Sequence, residues 1–166
     1  FSRPNQYIHI AIAPPKSHDR IEWFVEKAVE IGIQEITFII SQYSERNDIK
    51  LNRIKKRSIS SMKQSLGAYL PRINRMIYLD QFIKHCTNSE KYIGYLGSQN
   101  AKFLPNIANS KNDYSIIIGP EGGFAIEEVE LAKNYGFQMV SLGRNRLRTE
   151  TAGIIACHIF NIINET

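Results

Sequence analysis

Hydrophobic and polar positions change their period along this chain in a regular way. Over residues 7–13, Ile8, Ile10 and Ile12 recur at every second position, which predicts a strand that Pro14-Pro15 must end. Ile21, Phe24, Ala28 and Ile31 then recur at helical spacing over residues 20–31, with Asp19 available as a cap and Gly32 as a stop. Residues 35–40 read as a second strand. A polar loop through Asn47-Asp48 leads into a basic helix over 51–66, with Ile54, Ile59 and Met62 as its apolar positions and Gly67 and Pro71 beyond it. Residues 75–79 and 92–96 predict short strands around a short helix at 81–85. An Asn- and Ser-rich loop separates these from a β-branched strand at 115–118. Residues 126–135 predict a helix with Ile126, Val129 and Ala132 facing inward, closed by Gly136; residues 139–142 are the last strand and 149–163 the last helix. Strand and helix alternate throughout. The pattern predicts an α/β domain over residues 1–166, built on a mostly parallel sheet with helices on both faces.

Composition adds limits. A chain of 166 residues with 43% hydrophobic and 22% charged positions can bury a real core and has neither a disordered nor a fibrous profile. No apolar run reaches the length of a membrane span, and Phe1-Ser2-Arg3-Pro4 lacks the plan of a secretion signal, so a cytoplasmic protein without a membrane partner is expected. Cys86 and Cys157 stand alone, without a CxxC pair, and are expected to be reduced thiols, mostly buried. The four histidines show no metal-ligand spacing, so no metal is expected. Trp23 is read as a packing position and His158 as a packed or half-exposed one. The net charge of +5 is unevenly spread: Lys50, Arg53, Lys55, Lys56, Arg57 and Lys63 fall on one helix or beside it, and Arg144, Arg146 and Arg148 cluster later. Such a distribution favours a polyanion, because neutralising phosphates releases counterions whatever the base sequence.

Candidate chemistry concentrates in the last third. The apolar run Ile116-Ile117-Ile118 stops in Gly119-Pro120-Glu121-Gly122-Gly123, Ser141-Leu142-Gly143 follows a later strand, and Leu147-Arg148-Thr149-Glu150-Thr151 opens the final helix. Neither turn carries the Gly-Lys-Ser/Thr of a phosphate loop or the GxGxxG of a dinucleotide fold. Glycines nevertheless let a ligand approach the backbone, and ligand sites of open α/β sheets lie beyond the carboxyl ends of strands. Both turns follow strands, which points to one nucleoside-like ligand between them. Thr149 is expected to cap the last helix, with Glu150 facing its positive end.

With these segments in view, the chain resembles the SPOUT superfamily of knotted methyltransferases, and within it the bacterial 16S rRNA uridine-N3 methyltransferases. The resemblance rests on IIIGPEGGF, SLG and LRTETA, and extends upstream through Asp19-Arg20-Ile21-Glu22, residues 26–32, Lys63-Gln64-Ser65 and Leu70-Pro71. It implies a deep C-terminal trefoil knot, a homodimer, rRNA of the small subunit as partner and S-adenosylmethionine as cofactor. The cofactor cleft would be lined by Leu96, Gly97, Gly119, Pro120, Glu121, Gly122, Ser141, Leu142, Gly143, Leu147, Arg148 and Thr149. The family also carries an N-terminal PUA-like RNA-binding barrel; a chain starting at Phe1 fits the C-terminal domain alone, with residues 1–15 as its lead-in segment. The chain departs from the family pattern at Gln42-Tyr43-Ser44, at Gly67, at Ala125, where a Ser or Thr cap is usual, and at Asn145-Arg146.

For the reaction itself, Arg148 and Arg46 are candidates to stabilise negative charge or grip phosphate, and Glu121 is a candidate base for the uridine N3 proton. Two rival readings accompany this one. The first is a non-catalytic RNA-binding relative that grips RNA with the basic helix, and the second is a methyltransferase acting on the ribose 2′-hydroxyl.

Overall fold

A computed structural model describes residues 4–67, 69–95 and 100–165. Its elements run β1 (Tyr7–Ile12), α1 (His18–Ile31), β2 (Glu35–Ile40), α2 (Leu51–Gln64), β3 (Arg72–Tyr78), α3 (Leu79–His85) and β4 (Glu90–Gly94). They continue with β5 (Lys102–Phe103), α4 (Leu104–Ile107), β6 (Asp113–Ile118), α5 (Ile126–Asn134), β7 (Gln138–Ser141) and α6 (Thr149–Ile163). Seven strands form one sheet in the order β3-β2-β1-β6-β4-β7-β5, and every pairing is parallel.

The two faces follow from the strand period. Ile8, Ile10 and Ile12 of β1, with Tyr114, Ile116 and Ile118 of β6, face one core, shared with Phe24 and Ala28 of α1, Ile54 of α2 and Phe160 of α6. Ala11 and Ile117 face the other, with Phe82 and Ile83 of α3 and Val129 and Ala132 of α5. Strands buried on both faces read as continuous apolar runs, which is why the 116–118 segment shows no alternation. The α6 helix crosses α1 at Gly153, where a Cβ would lie 2.5 Å from the Phe24 ring and 3.2 Å from Ile12 Cδ1.

Several expectations need correction. Asp19 lies inside α1 rather than capping it, since the helix begins at His18 after Ser17. Ile126 is 73% exposed, Ile59 and Trp23 are also exposed, and His158 faces outward. These residues sit on helix faces whose opposite stripes already fill the two cores. The Asn- and Ser-rich segment before β6 hides the short β5 and α4, which are too brief to show a period. Cys157 is buried and its thiol is pushed up to about 12 by burial, so it is an inert packing group; Cys86 is a free thiol as well.

One polar network crosses β1, β2 and β3. Glu35 accepts from the Tyr7 hydroxyl (2.7 Å) and from Asn74 Nδ2 (2.7 Å), which also reaches Thr37 Oγ1 (2.8 Å), while His9 Nε2 meets that Thr37 hydroxyl at 2.7 Å. Burial lowers the His9 pKa below the ordinary 6.5, outweighing the Glu35 carboxylate, which acts the other way. Unfolded, His9 takes up a proton near pH 6.5 that the folded chain accepts only at lower pH, so this contribution to stability is whole above that pH and is lost below it. Urea midpoints should therefore fall on acidification below about pH 6.5, and His9→Gln should flatten that decline. Separately, Gly153→Ala should destabilise by about 1–3 kcal/mol in urea titrations, because Phe24 must leave its rotamer to admit the methyl group.

Candidate functional site

Strand β6 ends against the first glycine turn. Gly123 N–H donates to the Pro120 carbonyl (2.9 Å), and Gly123 holds φ 77°, which favours glycine. A Cβ on Gly119 would lie 2.8 Å from the Phe124 ring, so that ring folds back over bare backbone. A Cβ on Gly122 would lie 3.1 Å from Tyr43 Cβ, so the loop after β2 leans on the same turn. Glu128 fastens this corner: its carboxylate accepts from Ala125 N–H (2.9 Å) and from Gln42 N–H (3.0 Å). Both bonds use backbone amides. The departures at Gln42 and Ala125 thus leave this corner's bonding intact.

The second turn is built by Ser141, whose hydroxyl donates to the Gly143 carbonyl (2.9 Å) and lies 3.2 Å from the Gly143 amide. Arg146 Nη2 donates to the Glu121 carbonyl (3.3 Å), joining the second loop to the first. Helix α6 starts after Arg148 without a side-chain cap. Thr149, expected to cap it, instead donates its buried hydroxyl to the Gly119 carbonyl at 2.9 Å. That bond pins the start of α6 to the glycine turn.

Between these pieces lies a cavity of about 560 Å³ at the carboxyl ends of β4, β6 and β7. Of the residues singled out from sequence, Gly119, Pro120, Glu121, Gly122, Leu142, Leu147 and Thr149 line it. Ser141 and Gly143 shape the turn without lining the cavity, Arg148 lines a neighbouring cleft, and Leu96 and Gly97 lie outside the described residues. Sequence reading missed Tyr95, Val140, Arg144 and Ala152, which also line the cavity. Nothing local marks them; only strand order brings them together. Phe124 had a signal, since it follows the glycines directly.

Charges at the rim fall into two groups. Arg20 stands between Glu121 Oε1 (3.6 Å from Nη1) and Glu150 Oε1 (3.8 Å from Nε), and the Glu150 carboxylate is buried with its second oxygen unpartnered. Arg46 does not line the cavity: it donates to the Lys16 carbonyl (2.9 Å) and pairs with Asp48 (3.5 Å). The Arg148 side chain is exposed, with no hydrogen-bond or ion-pair partner among the described residues, while its carbonyl accepts from the Ala152 amide (2.8 Å). On α2, Arg53 (2.9 Å) and Arg57 (3.8 Å) flank the buried Glu22 carboxylate of α1. Burial raises the Glu22 pKa, but hydrogen bonds from His18 and Arg53 prevail and hold it below the usual value. Lys55 and Lys56 face outward. Among the described residues no group of His, Cys, Asp or Glu could hold a metal ion, and no helix is long and apolar enough to cross a membrane.

Comparison with known proteins converges on one family. The model of an RNA methyltransferase domain matches residues 2–161. The ribosomal RNA small subunit methyltransferase E of Mesomycoplasma hyopneumoniae is 34% identical over 92% of this chain and 68% of its own. A crystal structure from Porphyromonas gingivalis, described as a probable rRNA-methyltransferase, superposes with a TM-score of 0.92 at 42% identity, covering 96% of this chain and 68% of that one. The ribosomal RNA small subunit methyltransferase E of Neisseria gonorrhoeae, solved bound to S-adenosyl methionine, gives 0.87 at 27% identity, covering 96% and 67%. The chain spans 57% to 68% of the length of the first curated relatives it matches.

Replacing Thr149 by Val should leave the Gly119 carbonyl without its donor. Urea denaturation should then report a loss of about 1 kcal/mol, since a removed partner costs more than the net bond contributes.

Proposed function

Because the chain belongs to the RNA methyltransferase domain family, we propose that it binds S-adenosylmethionine in the cavity between the two glycine turns and methylates N3 of a uridine in small-subunit rRNA. The observation that carries this reading is the cavity itself. Four glycines, Gly94, Gly119, Gly122 and Gly123, line it beside the apolar Ile118, Val140 and Leu142. Bare backbone beside apolar walls suits an adenosine group, whose edge bonds to amides and carbonyls while its faces pack on side chains.

When bound, S-adenosylmethionine supplies a methyl group on a positively charged sulfur, open to attack by an electron pair of the acceptor. The chain's own part is to place and to stabilise. Pro120, Leu142 and Leu147 would hold the cofactor's apolar surface, with Thr149 keeping the Gly119 turn in register for it. Positioning alone is worth up to roughly 7–11 kcal/mol of the barrier. Uridine N3 carries a proton, so the acceptor must lose it. Glu121, the carboxylate of the cofactor turn, is our candidate to receive it, and Arg148 to grip the acceptor strand or its developing charge. Arg46 takes a structural part instead, holding the loop after β2 to the β1–α1 connection. We also read the C-terminal segment as the family's trefoil knot, the working unit as a homodimer and the setting as the cytoplasm. Residues 1–166 would then form a methyltransferase domain.

The test is calorimetric titration with S-adenosylmethionine, paired with methyl transfer to 16S rRNA. Binding should be on the order of micromolar, and lost in Gly122→Trp, with thermal melts checking that Tyr43 accommodates the change. Arg148→Ala should bind cofactor normally and lose about 10²–10³ in methyl transfer. A folded wild-type chain that binds RNA but no cofactor would favour the non-catalytic reading. A 2′-O-methylated product would favour the ribose reading, and unchanged transfer by Arg148→Ala would remove Arg148 from the mechanism.

A further inference from the structure

A second cleft, of about 420 Å³, adjoins the cofactor cavity; it shares Glu121, Arg146 and Leu147 with it and is closed by Arg20 and Arg148. Resting on the methyl-transfer reading above, we propose that this cleft receives the acceptor pyrimidine, and that Arg20, oriented by Glu150, stabilises the negative charge left on the ring when N3 loses its proton. The volume lies within the range of small-ligand pockets, about 300–1,000 Å³.

Arg20 and Arg148 both line the cleft, but they are held very differently. Arg148 is exposed and unanchored. Arg20 is ion-paired on two sides, with Glu121 3.6 Å from Nη1 and Glu150 3.8 Å from Nε. The Glu150 side chain is only 7% exposed, and its second oxygen has no hydrogen-bond partner. A buried carboxylate in that condition needs a nearby cation, and Arg20 is the one beside it. Glu150 therefore fixes the guanidinium without itself reaching the cleft, and the fork keeps N–H donors that neither carboxylate occupies. Preorganised donors stabilise charge without reorganising during the reaction, whereas an arginine without a partner must first be ordered by the acceptor.

The proton step balances within this cluster. The N3–H bond breaks, the proton forms an O–H bond on Glu121, and the electron pair stays on the ring, spread over N3, O2 and O4. Glu121 becomes neutral as the ring becomes anionic. Arg20 exchanges one counter-ion for another, so the cleft gains no net charge. Arg20 is then a catalytic group toward the acceptor, and Glu150 a positioning residue acting through it.

Two measurements on the intact chain test this. In methyl transfer, Arg20→Gln should lower kcat by about 10²–10³ with little change in the KM for RNA or in S-adenosylmethionine affinity, and its pH–rate profile should move to higher pH. Arg20→Lys, which keeps the charge without the fork, should lose less, and Glu150→Gln should shift the profile in the same direction. Independently of cofactor, an RNA oligonucleotide carrying 5-fluorouridine, whose ring ionises readily, should ionise at lower pH when bound to wild type, as read by ultraviolet absorbance. That shift should vanish in Arg20→Gln and shrink in Glu150→Gln. Wild-type kcat in a folded Arg20→Gln, or no ionisation shift on wild type, overturns the assignment while leaving methyl transfer intact. Failure of wild type to bind S-adenosylmethionine overturns the methyl-transfer reading, and this one with it.

Discussion

Because all the strand pairings are parallel, every strand of this sheet ends at the same edge, and each return to the sheet needs a crossover. That constraint creates the site. Strands β6, β4 and β7 are neighbours, although β5 and α4 separate β4 from β6 in sequence. Their carboxyl ends bring Ile118, Gly94 and Val140 to one cavity. A sheet with antiparallel members would have scattered these ends to opposite edges. The apolar burial of β1 and β6 on both faces fixes the register that sets this edge, through Ala13 N–H on the Ile118 carbonyl (2.9 Å).

The edge would still be loose without cross-links between its loops. Thr149 ties α6 to Gly119, Arg146 ties the second loop to Glu121, and Glu128 ties the loop after β2 to the start of α5. In each bond at least one partner is a backbone group. Such ties hold loop paths rather than particular neighbouring side chains, so the corner tolerates Gln42 and Ala125 where the family shows other residues.

Much of the fold was legible because the chain changes period cleanly: β1, β2, α1 and α6 fall within one or two residues of their predicted limits. The glycine turns were legible because few residues can make them. Strand order was not, since nothing in the 113–118 segment says that it inserts between β1 and β4. Cavity residues such as Val140 and Ala152 were hidden for that reason. The inner and outer faces of α5 were half legible: Val129 and Ala132 are buried, but Ile126 lies at the first turn, past the edge of the core it was expected to join. Thr149 shows the limit of local rules. Its type and position fit a helix cap, yet a carbonyl thirty residues away competes for the same hydroxyl and wins.

Charge along the sequence was equally ambiguous, because a basic residue reads the same whether or not it is held. In the folded chain, Arg53 and Arg57 are committed to Glu22 and Glu26, Arg46 to Lys16 and Asp48, and Arg20 to Glu121 and Glu150. The side chains of Lys55, Lys56 and Arg148 are exposed and have no ion-pair partner among the described residues. Held cations keep a fixed field at low entropic cost, while free ones can follow a flexible phosphate backbone at the cost of ordering their side chains. The net charge of +5 is therefore spread over an ion-paired set, of which Arg20 borders the site, and an outward set with no ion-pair partner among the described residues. Among these paired arginines Arg20 alone lines the cleft beside the cavity, and a donor that does not move to suit a wrong partner is what discrimination between ligands requires.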